Sequence, residues 1–589
     1  MYHNLSMKSF MSNNITRMFI KLWPVQFFVV IASSLSGIIN GLVIGNYLSF
    51  EAMSALGLVT PVIGFLSALA SIVSGGAGIL CGKFMGKGDS DKVDQVFSIS
   101  MIINFVCGLV LTFLIIIFAQ PIALYLKADV NTLQATVQYI RGMAIGIVPM
   151  LMMPSMMIFL QMSDQSYFSL ATIIIMSVIN AILNTFNIHL LKWGIFGIGL
   201  ATSLSRYFAI AIIIGFLLVK RNLVKFNIKY FDLNIVKDIL IMGSPASLAG
   251  ILYSMRNVFI NSYAFDLQGD VALNALAIMT SFGGFFDGFN IALGSTLTML
   301  ASVFVGERDG KSIKELTIIS CVIGEFFAVL KVISMYLFGD DISILYGASN
   351  NLIDVSYELL RYYSWSSVPN MITVTIIGIY QSLGRISLCN IMYLFNCILT
   401  PLFCCTVLAD IFNIQAIWSL YYLAEIVTLT IVFINSCIKK KALSKNLDDI
   451  LYLDSIYSTE NKYLKTINDI SEVINVSKEV EDFCLKNNID SRRAMFTGLC
   501  LEEMAGNIVE HGFIKDNKKH SIDLFTCVEN DEVLMRLRDN CVPFDPNSRK
   551  QIVNPEDPAK NIGIRMVSKI AKEMNYHSNF GFNVLAIRL

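Results

Sequence analysis

The sequence predicts a polytopic α-helical membrane protein of about twelve transmembrane helices, followed by a C-terminal α/β sandwich domain. Its 589 residues are 55% hydrophobic and only 15% charged, with a mean hydropathy of +0.63, whereas soluble domains carry about 25% charged residues. Apolar runs of about twenty residues recur between Phe19 and Cys437, and each can cross ~30 Å of hydrocarbon as a helix. After Lys439 the chain becomes rich in Asp, Glu, Lys and Asn, which is typical of a soluble domain.

The apolar runs place the membrane helices, because short polar loops separate them. We expect helices near 18–46, 55–82, 95–120, 135–160, 167–190, 195–219, 236–262, 272–300, 313–339, 352–381, 386–409 and 414–437. Pro149 and Pro369 fall in the middle of two of these helices, where a lost backbone hydrogen bond predicts a kink. Such a kink can be a static feature or a bend for alternating access.

The loops between these helices differ in charge, which predicts their orientation. One set of loops, with both termini, is basic and contains Lys8, Arg17, Lys21, Lys83, Lys87, Lys92, Lys220, Arg221, Lys225, Lys229, Lys237, Arg308, Lys311, Lys314, Arg385 and Lys439–Lys441. The other set is mainly acidic and holds only two lysines, Lys127 and Lys192. Basic loops stay in the cytoplasm, so we expect a plasma-membrane protein with both termini on the cytoplasmic side.

The membrane part repeats itself when the sequence is shifted by about 220 residues. Identical residues then coincide in the pairs Ala52/Ala272, Ala55/Ala275, Leu56/Leu276, Gly86/Gly306, Asp89/Asp309, Arg141/Arg361, Pro149/Pro369 and Gln161/Gln381. Each half holds an even number of helices, so the two copies have the same orientation. Secondary transporters use such a parallel repeat to build a site between the halves near the bilayer midplane.

This repeat divides the chain into six segments. They are a cytoplasmic N-terminus (1–17), a first six-helix repeat (18–219), a cytoplasmic loop (220–235), a second six-helix repeat (236–440), a linker (441–466) and a soluble domain (467–589).

The membrane part resembles the multidrug and toxic compound extrusion (MATE) family over roughly residues 15–440. The resemblance lies in GLVIGNYLSFEAMSALGLVTPVIGF and GGAGILCGKFMGKGDSDK, in their counterpart from Asn261 to Lys311, and in the Arg-x7-Pro pattern of the fourth and tenth helices. It implies an antiporter driven by Na⁺ or H⁺ that exports small amphipathic, often cationic compounds across the lipid bilayer. Many members carry a carboxylate for cation coupling on the first helix, and here Asn40 stands near that place. An amide cannot take up a proton at neutral pH, although its oxygen can ligate Na⁺.

Charged residues inside apolar runs are further candidates, since each costs about 2.5–3.5 kcal/mol or more at a helix centre. Arg256 and Asp287 are equally open to a cation or substrate contact and to a structural ion pair. The remaining charges are expected to be structural. Glu325, Lys331 and Glu425 are expected in ion pairs, whereas Arg141, Arg206 and Arg361 are expected near helix ends, with their head groups at the interface.

In the soluble part the pattern is helix, long helix, two strands, loop, helix and strand. Helical periodicity covers 467–486 and 491–511, SIDLFTCVE and EVLMRLRD alternate as strands, and NVLAIRL closes the chain. These elements predict helices stacked on one face of a mixed sheet.

Three segments of this domain carry chemistry. Glu503 and Asn507 are four residues apart on one helix face, where the amide oxygen can ligate Mg²⁺ and the carboxylate can orient or deprotonate a nucleophile. Asp539 follows a strand, where it can accept a hydrogen bond from the exocyclic amine of adenine. Gly563 lies at the start of a helix, where backbone N–H groups can approach phosphates.

In this order the segments resemble the histidine-kinase-like (GHKL) ATPases, most closely the anti-sigma-factor serine/threonine kinases, over about 465–589. The resemblance implies ATP and Mg²⁺ as cofactors, with Asn507 as Mg²⁺ ligand, Glu503 as base, Asp539 as adenine partner and Gly563 in the phosphate-binding turn. It also implies a lid over 544–562 from which Arg549, Lys550 or Lys560 can reach phosphates. Cys541 and Asn561 replace usual glycines and are expected to add bulk near the nucleotide. No phosphoacceptor histidine is evident, and His520 and His577 are expected to be solvated.

Three functional hypotheses remain open. The first is an exporter with an ATP-binding domain, which either regulates transport or transmits a signal from the exporter. The second is a membrane receptor kinase that phosphorylates or sequesters a protein partner, and the third is a flippase for lipid-linked precursors, which a basic cavity would favour. The chain lacks a GxxxxGK[ST] P-loop, so the transport energy is expected from an ion gradient. A formal net charge of +0 gives no reason to expect a nucleic-acid partner.

Overall fold

The computed structural model describes residues 14–220, 225–346, 351–440, 446–453, 462–515, 519–529, 531–546 and 562–589. The chain divides into two compact units. The first is helical and comprises Phe19–Gln161 and Gln165–Tyr452. The second contains Leu453–Leu589 together with two short segments from elsewhere in the chain.

The first repeat is built from eight helical segments, of which seven form six spans and the short α4 lies outside them. They are α1 (Asn14–Tyr47), α2 (Phe50–Lys87), α3 (Ser90–Ile117), α4 (Ala119–Tyr125), α5 (Leu133–Ala144), α6 (Ile147–Met162), α7 (Ser166–Phe186, continued by a π-helical turn at Asn187–Leu191) and α8 (Gly194–Val219). Helix α5 and helix α6 form one span with a bend of 46°. Pro149 lies in the first turn of α6, where its missing N–H has no helical acceptor, so the break precedes the proline.

The second repeat contains six long helices. They are α9 (Leu233–Gln268), α10 (Asp270–Gly306), α11 (Gly310–Leu345), α12 (Asn351–Leu383), α13 (Ile386–Phe412) and α14 (Ile414–Lys440). Helix α13 includes π-helical stretches at Phe395–Leu399 and Cys404–Leu408. Pro369 lies inside the continuous helix α12, so this repeat lacks the break that separates α5 from α6.

Among the described residues, ten helices are long and apolar enough to cross a membrane, and the bent α5–α6 pair makes an eleventh span. Helix α12 is long enough at 33 residues but more polar. Its interior carries Arg361, Ser364 and Asn370 and packs between α10 and α11. The prediction of about twelve membrane helices in two repeats is therefore confirmed.

Equivalent positions of the two repeats meet where α2 crosses α10. A Cβ atom at Gly86 would lie 2.1 Å from the carbonyl oxygen of Val303, and one at Gly306 would lie 2.2 Å from that of Lys83. Only glycine allows these two backbones to approach so closely. The pairs Gly86/Gly306 and Lys83/Val303 are each related by the shift of about 220 residues, so the contact reflects the internal repeat.

The soluble domain packs helices on one face of a five-stranded sheet of order β1-β2-β3-β5-β4. The strands are β1 (Lys462–Ile467), β2 (Ile522–Glu529), β3 (Glu532–Asp539), β4 (Glu573–Asn579) and β5 (Phe582–Arg588). The helices α16 (Ile470–Lys486), α17 (Ser491–Asn507) and α18 (Ile562–Ile570) follow a short helix α15 (Leu447–Leu451) in the linker. The core is formed by apolar residues such as Val480, Leu501, Met535 and Ile587, all within the domain.

The prediction of helices on a sheet is confirmed, but two details were wrong. Every described strand pair is antiparallel, so the sheet is not mixed. Strands β1 and β4 were not predicted, because their sequences are polar and β1 lies in the predicted linker. In addition, α17 ends at Asn507 and continues as a π-helical turn over Ile508–Gly512.

Candidate functional site

A cavity of about 1140 Å³ lies within the helical unit and is lined by both repeats. The first repeat contributes Gln161 and Arg206, and the second contributes Arg256, Asp287 and Glu425. The two sequence candidates Arg256 and Asp287 therefore reach the same cavity. Its size suits a drug-sized organic molecule, since such sites measure about 300–1,000 Å³.

Asp287 lies in a cluster with Tyr363 and Lys331. The Tyr363 hydroxyl lies 2.6 Å and 2.7 Å from the two carboxylate oxygens of Asp287 and donates to them. The Lys331 Nζ lies 3.7 Å from Asp287 Oδ1 and 3.7 Å from the centroid of the Tyr363 ring. The Lys331 side chain is 4% exposed, while that of Asp287 is 47% exposed. The carboxylate is therefore accessible, and the lysine is its buried counter-ion.

Arg256 and Glu425 lie in a second polar cluster of the second repeat. The Arg256 guanidinium stacks on Tyr253 and Tyr421, with centroid distances of 4.7 Å and 5.4 Å. Glu425 Oε1 accepts a hydrogen bond of 2.8 Å from Asn370. The Asn370 amide oxygen in turn accepts one of 2.8 Å from Asn290. Sequence reasoning missed Asn290, Asn370 and Tyr363, because neutral polar residues in apolar helices carry no strong signal.

Asn40 is buried in an amide cluster of the first repeat, which does not line the cavity. It donates to the Thr202 hydroxyl at 2.9 Å and accepts from Asn184 at 2.8 Å. Asn180 also donates to Thr202, at 3.2 Å. The cluster thus contains no carboxylate.

Arg206 does not lie near a helix end, so that expectation was wrong. It occupies the middle of α8 and lines the cavity. Its Nη1 is buried, and no described residue forms a hydrogen bond with it. The predicted helix 195–219 agrees with α8, so the error lay in placing Arg206 at the interface although it is central in that helix.

In the soluble domain Glu503, Asn507 and Gly563 are brought together by α17 and α18. The Asn507 Nδ2 donates to the backbone carbonyl of Glu503 at 2.7 Å, and this hydrogen bond leaves the amide oxygen for another partner. Helix α18 approaches so closely that a Cβ atom at Gly563 would lie 1.9 Å from Glu503 Oε2. A glycine is therefore required for the first turn of α18 to approach the Glu503 carboxylate this closely.

Asp539 ends strand β3 and is 5% exposed. Its Oδ1 accepts hydrogen bonds from the Cys541 backbone N–H at 2.9 Å and from Asn583 Nδ2 at 2.8 Å. Asn583 is held in turn by the Tyr576 hydroxyl, which donates to its Oδ1 at 3.0 Å. Burial raises the pKa of Asp539 above its ordinary value. The supporting residues Asn583 and Tyr576 lie on strands and had no sequence signal.

The structure also describes Cys541 and two histidines of this domain, and among these only the expectation for the histidines was wrong. Cys541 is buried, and its Sγ would lie 3.0 Å from a Cβ atom at Gly512, so the thiol packs against the end of the helical turn. His520 is buried, and burial together with Arg536 and Arg538 lowers the pKa of His577 to about 4, so neither histidine is solvated. The candidates Arg549, Lys550, Lys560 and Asn561 lie outside the described residues.

The donor set fits a nucleotide-bound Mg²⁺. Among the described residues no group of three His, Cys, Asp or Glu side chains could hold a metal ion. Mg²⁺ typically binds one or two protein oxygens and completes its shell with phosphates and water. The side chain of Asn507 has one such oxygen, because its hydrogen bond to the Glu503 carbonyl uses only the amide nitrogen.

Two parallel helical repeats around a shared polar cavity define a secondary transporter fold. The chain belongs to the MatE family, whose model matches residues 26–186 and 245–406. A second model, the histidine kinase-like ATPase domain, matches residues 468–589. Both resemblances stated from the sequence are thereby confirmed. The domain implies ATP binding with Mg²⁺, and MatE transporters are ion-coupled membrane proteins that export small organic or cationic compounds.

Curated relatives cover most of the helical unit. The multidrug export protein MepA of Staphylococcus aureus is 22% identical over 355 residues, which are 60% of this chain and 78% of that protein. MepA of Staphylococcus saprophyticus is 23% identical over 357 residues, with the same coverage of 60% and 78%.

Solved structures share the fold. A transporter of the MOP superfamily from Pyrococcus furiosus matches with a TM-score of 0.67 and 18% identity, over 74% of this chain and 98% of that chain. The Vibrio cholerae MATE transporter VcmN matches with a TM-score of 0.68 and 15% identity, over 76% and 100%.

Proposed function

We propose that this chain is an ion-coupled exporter of small organic compounds whose ATP-binding domain regulates transport. The observation that carries the proposal is the accessible Asp287 carboxylate, paired with buried Lys331 in a cavity that both repeats line. An ion that binds Asp287 competes with Lys331 for the same oxygen. Ion binding can therefore change the arrangement of α10, α11 and α12, which carry the cluster.

Na⁺ and H⁺ are the candidate coupling ions, and Asp287 is the proposed acceptor for either. Asn40 is the weaker candidate, because both ends of its amide are already engaged by Thr202 and Asn184. The basic loops support a plasma-membrane protein with both termini in the cytoplasm, where ATP is available.

The soluble domain is proposed to bind Mg·ATP. Asn507 would ligate Mg²⁺, Asp539 would accept from the adenine amine, and Gly563 would admit the phosphates at the start of α18. ATP supplies a transferable phosphoryl group, and Glu503 would orient or deprotonate an acceptor. Lys550 and Lys560 remain proposed phosphate contacts. The domain would either phosphorylate the hydroxyl group of a protein partner or change the rate of transport when ATP is bound.

Flux in proteoliposomes tests the transport function. We expect an imposed Na⁺ or H⁺ gradient to drive the accumulation of an organic dye. Ionophores should abolish this accumulation, and vanadate should leave it unchanged. If neither cationic nor anionic dyes are transported and a ligand instead stimulates phosphorylation, the protein is a receptor kinase.

The contact between Gly563 and Glu503 gives a prediction for ATP turnover. In Gly563→Ala the new Cβ atom displaces the Glu503 carboxylate, whose Oε2 would be only 1.9 Å away. Displacing a catalytic group by about 1 Å costs about 100-fold in rate, so we expect phosphate release by the soluble domain to fall by that order. The matched control is Gly506→Ala, because a Cβ atom there meets no atom of the described residues within 4 Å. Equal turnover in both variants would show that Glu503 has no catalytic role.

The burial of Asp539 predicts how ATP binding depends on pH. Its pKa is raised, so protonation begins at a higher pH than for an ordinary aspartate, and the protonated group is a poorer acceptor for the adenine amine. The affinity should therefore fall as the pH is lowered toward this raised pKa. The ratio of wild-type to Asp539→Asn affinities, measured by calorimetry at each pH, cancels the titration of the nucleotide. A ratio that stays constant from neutral pH down to pH ~4 would contradict the assignment.

A further inference from the structure

The charged side chains of the cavity are not balanced. Arg206, Arg256 and Lys331 are basic, while Asp287 and Glu425 are acidic. Basic groups therefore outnumber acidic ones in the lining, although the family resemblance implied an often cationic substrate.

Apart from the pair of Lys331 and Asp287, the lining holds two guanidinium groups, Arg206 and Arg256, and one carboxylate, Glu425, so one positive charge is left in excess. Lys331 pairs with Asp287 at 3.7 Å. Arg256 interacts electrostatically with Glu425 but forms no ion pair with it, and its buried Nε has no hydrogen-bond partner in the described part of the chain. Arg206 has no ion-pair partner among the described residues, and its Nη1 is likewise buried and unpartnered.

An unpaired guanidinium in a membrane-spanning region is costly, and a ligand of opposite charge offsets that cost. The planar N–H fork of arginine matches carboxylate and phosphate oxygens in a bidentate arrangement. Arg206 belongs to the first repeat and Arg256 to the second. Tyr253 and Tyr421 hold Arg256 by its faces, which leaves its N–H groups for a ligand.

The rest of the lining suits an apolar body. Met150, Met153 and Met157 lie along one side of the cavity on α6, with Met176 and Met299 from other helices. Methionine side chains adapt to varied apolar shapes and favour a broad range of ligands.

We propose that the cavity binds amphipathic organic anions, with a carboxylate or phosphate group between Arg206 and Arg256 and the apolar part against the methionines. This inference rests on the proposed export function and defines its substrate class. A free amphipathic acid and the phosphate head group of a polyprenyl lipid share this chemistry.

The test uses the purified full chain and two probes that share a pyrene body and carry head groups of opposite charge, pyrenebutyrate and pyrenebutyl-trimethylammonium. Binding is measured by fluorescence anisotropy in detergent, so it does not depend on transport. We expect the anion to bind at least 10-fold more tightly than the cation. Arg206→Gln and Arg256→Gln should each weaken anion binding at least 10-fold, and Arg256→Lys should weaken it less because it keeps the charge.

The control is Arg361→Gln, which removes an exposed arginine outside the cavity lining and should bind both probes like the wild type. Equal binding of the two probes, or unchanged anion binding in both Arg→Gln variants, would overturn the proposal. Failed flux with preserved anion binding would instead contradict only the export function. Competition then assigns the source: displacement by polyprenyl phosphate but not by decanoate supports a lipid-linked head group, and the converse supports a free acid.

Discussion

Substitution of Asp539 by alanine is expected to weaken Mg·ATP binding by about 10- to 100-fold. A hydrogen bond to a charged group contributes about 1.5–3 kcal/mol, and each 1.4 kcal/mol corresponds to a factor of ten. The carboxylate is held by Cys541 and Asn583 with one oxygen, so its orientation is fixed before the nucleotide arrives. Calorimetry with the fragment 442–589 measures the effect, because the domain has a hydrophobic core of its own.

Two comparison variants sharpen this experiment. Asn507→Ala should lose the contribution of Mg²⁺ to ATP binding. Its affinity for ATP should therefore be lower than that of the wild type in the presence of Mg²⁺ and equal to it in the presence of EDTA. Asp482→Ala removes an exposed carboxylate of α16 and should bind like the wild type. ATP binding that survives in Asp539→Ala would show that adenine is bound elsewhere. No binding by the folded wild-type fragment would indicate a degenerate scaffold.

Asp287→Asn is expected to abolish gradient-driven flux. The amide removes the negative charge that the coupling ion needs, and it leaves Lys331 buried without a counter-ion. Breaking a buried ion pair costs up to about 3–5 kcal/mol, and the open side of Asp287 toward the cavity reduces that cost. We therefore expect both a lower melting temperature in detergent and a loss of flux in proteoliposomes.

A double variant separates stability from coupling. Asp287→Asn combined with Lys331→Met removes both charges, and replacing a buried pair by neutral groups is often close to neutral for stability. This variant should regain the melting temperature of the wild type without regaining ion-coupled flux. Ion-coupled flux in the double variant would show that another group takes up the coupling ion.

The helical unit could be predicted from the sequence almost completely, because length, hydropathy and the internal repeat are linear features. The shift that pairs Gly86 with Gly306 even relates the two glycines at the contact between α2 and α10. In the soluble domain β1 and β4 were missed, because KYLKTI and EMNYHSN are polar edge strands without a clear alternation. Their antiparallel pairing depends on residues far away in the sequence.

The site was predicted as a set of residues but not as an arrangement. Arg256 and Asp287 were found because a charge in an apolar run is conspicuous. The pairing of Asp287 with Lys331 depends on how α10 and α11 are rotated, which single-sequence hydropathy does not contain. The position of Arg206 in the cavity was missed for the same reason.

Regulation of ion-driven export by ATP is tested by measuring gradient-driven flux in the wild type and in Asp539→Ala. Each protein is measured with and without Mg·ATP on the side of the soluble domain. We predict that the ion gradient drives flux in both proteins without nucleotide, and that Mg·ATP changes the rate only in the wild type. Flux that requires ATP in the absence of any gradient, or an identical response of both proteins to Mg·ATP, would contradict it.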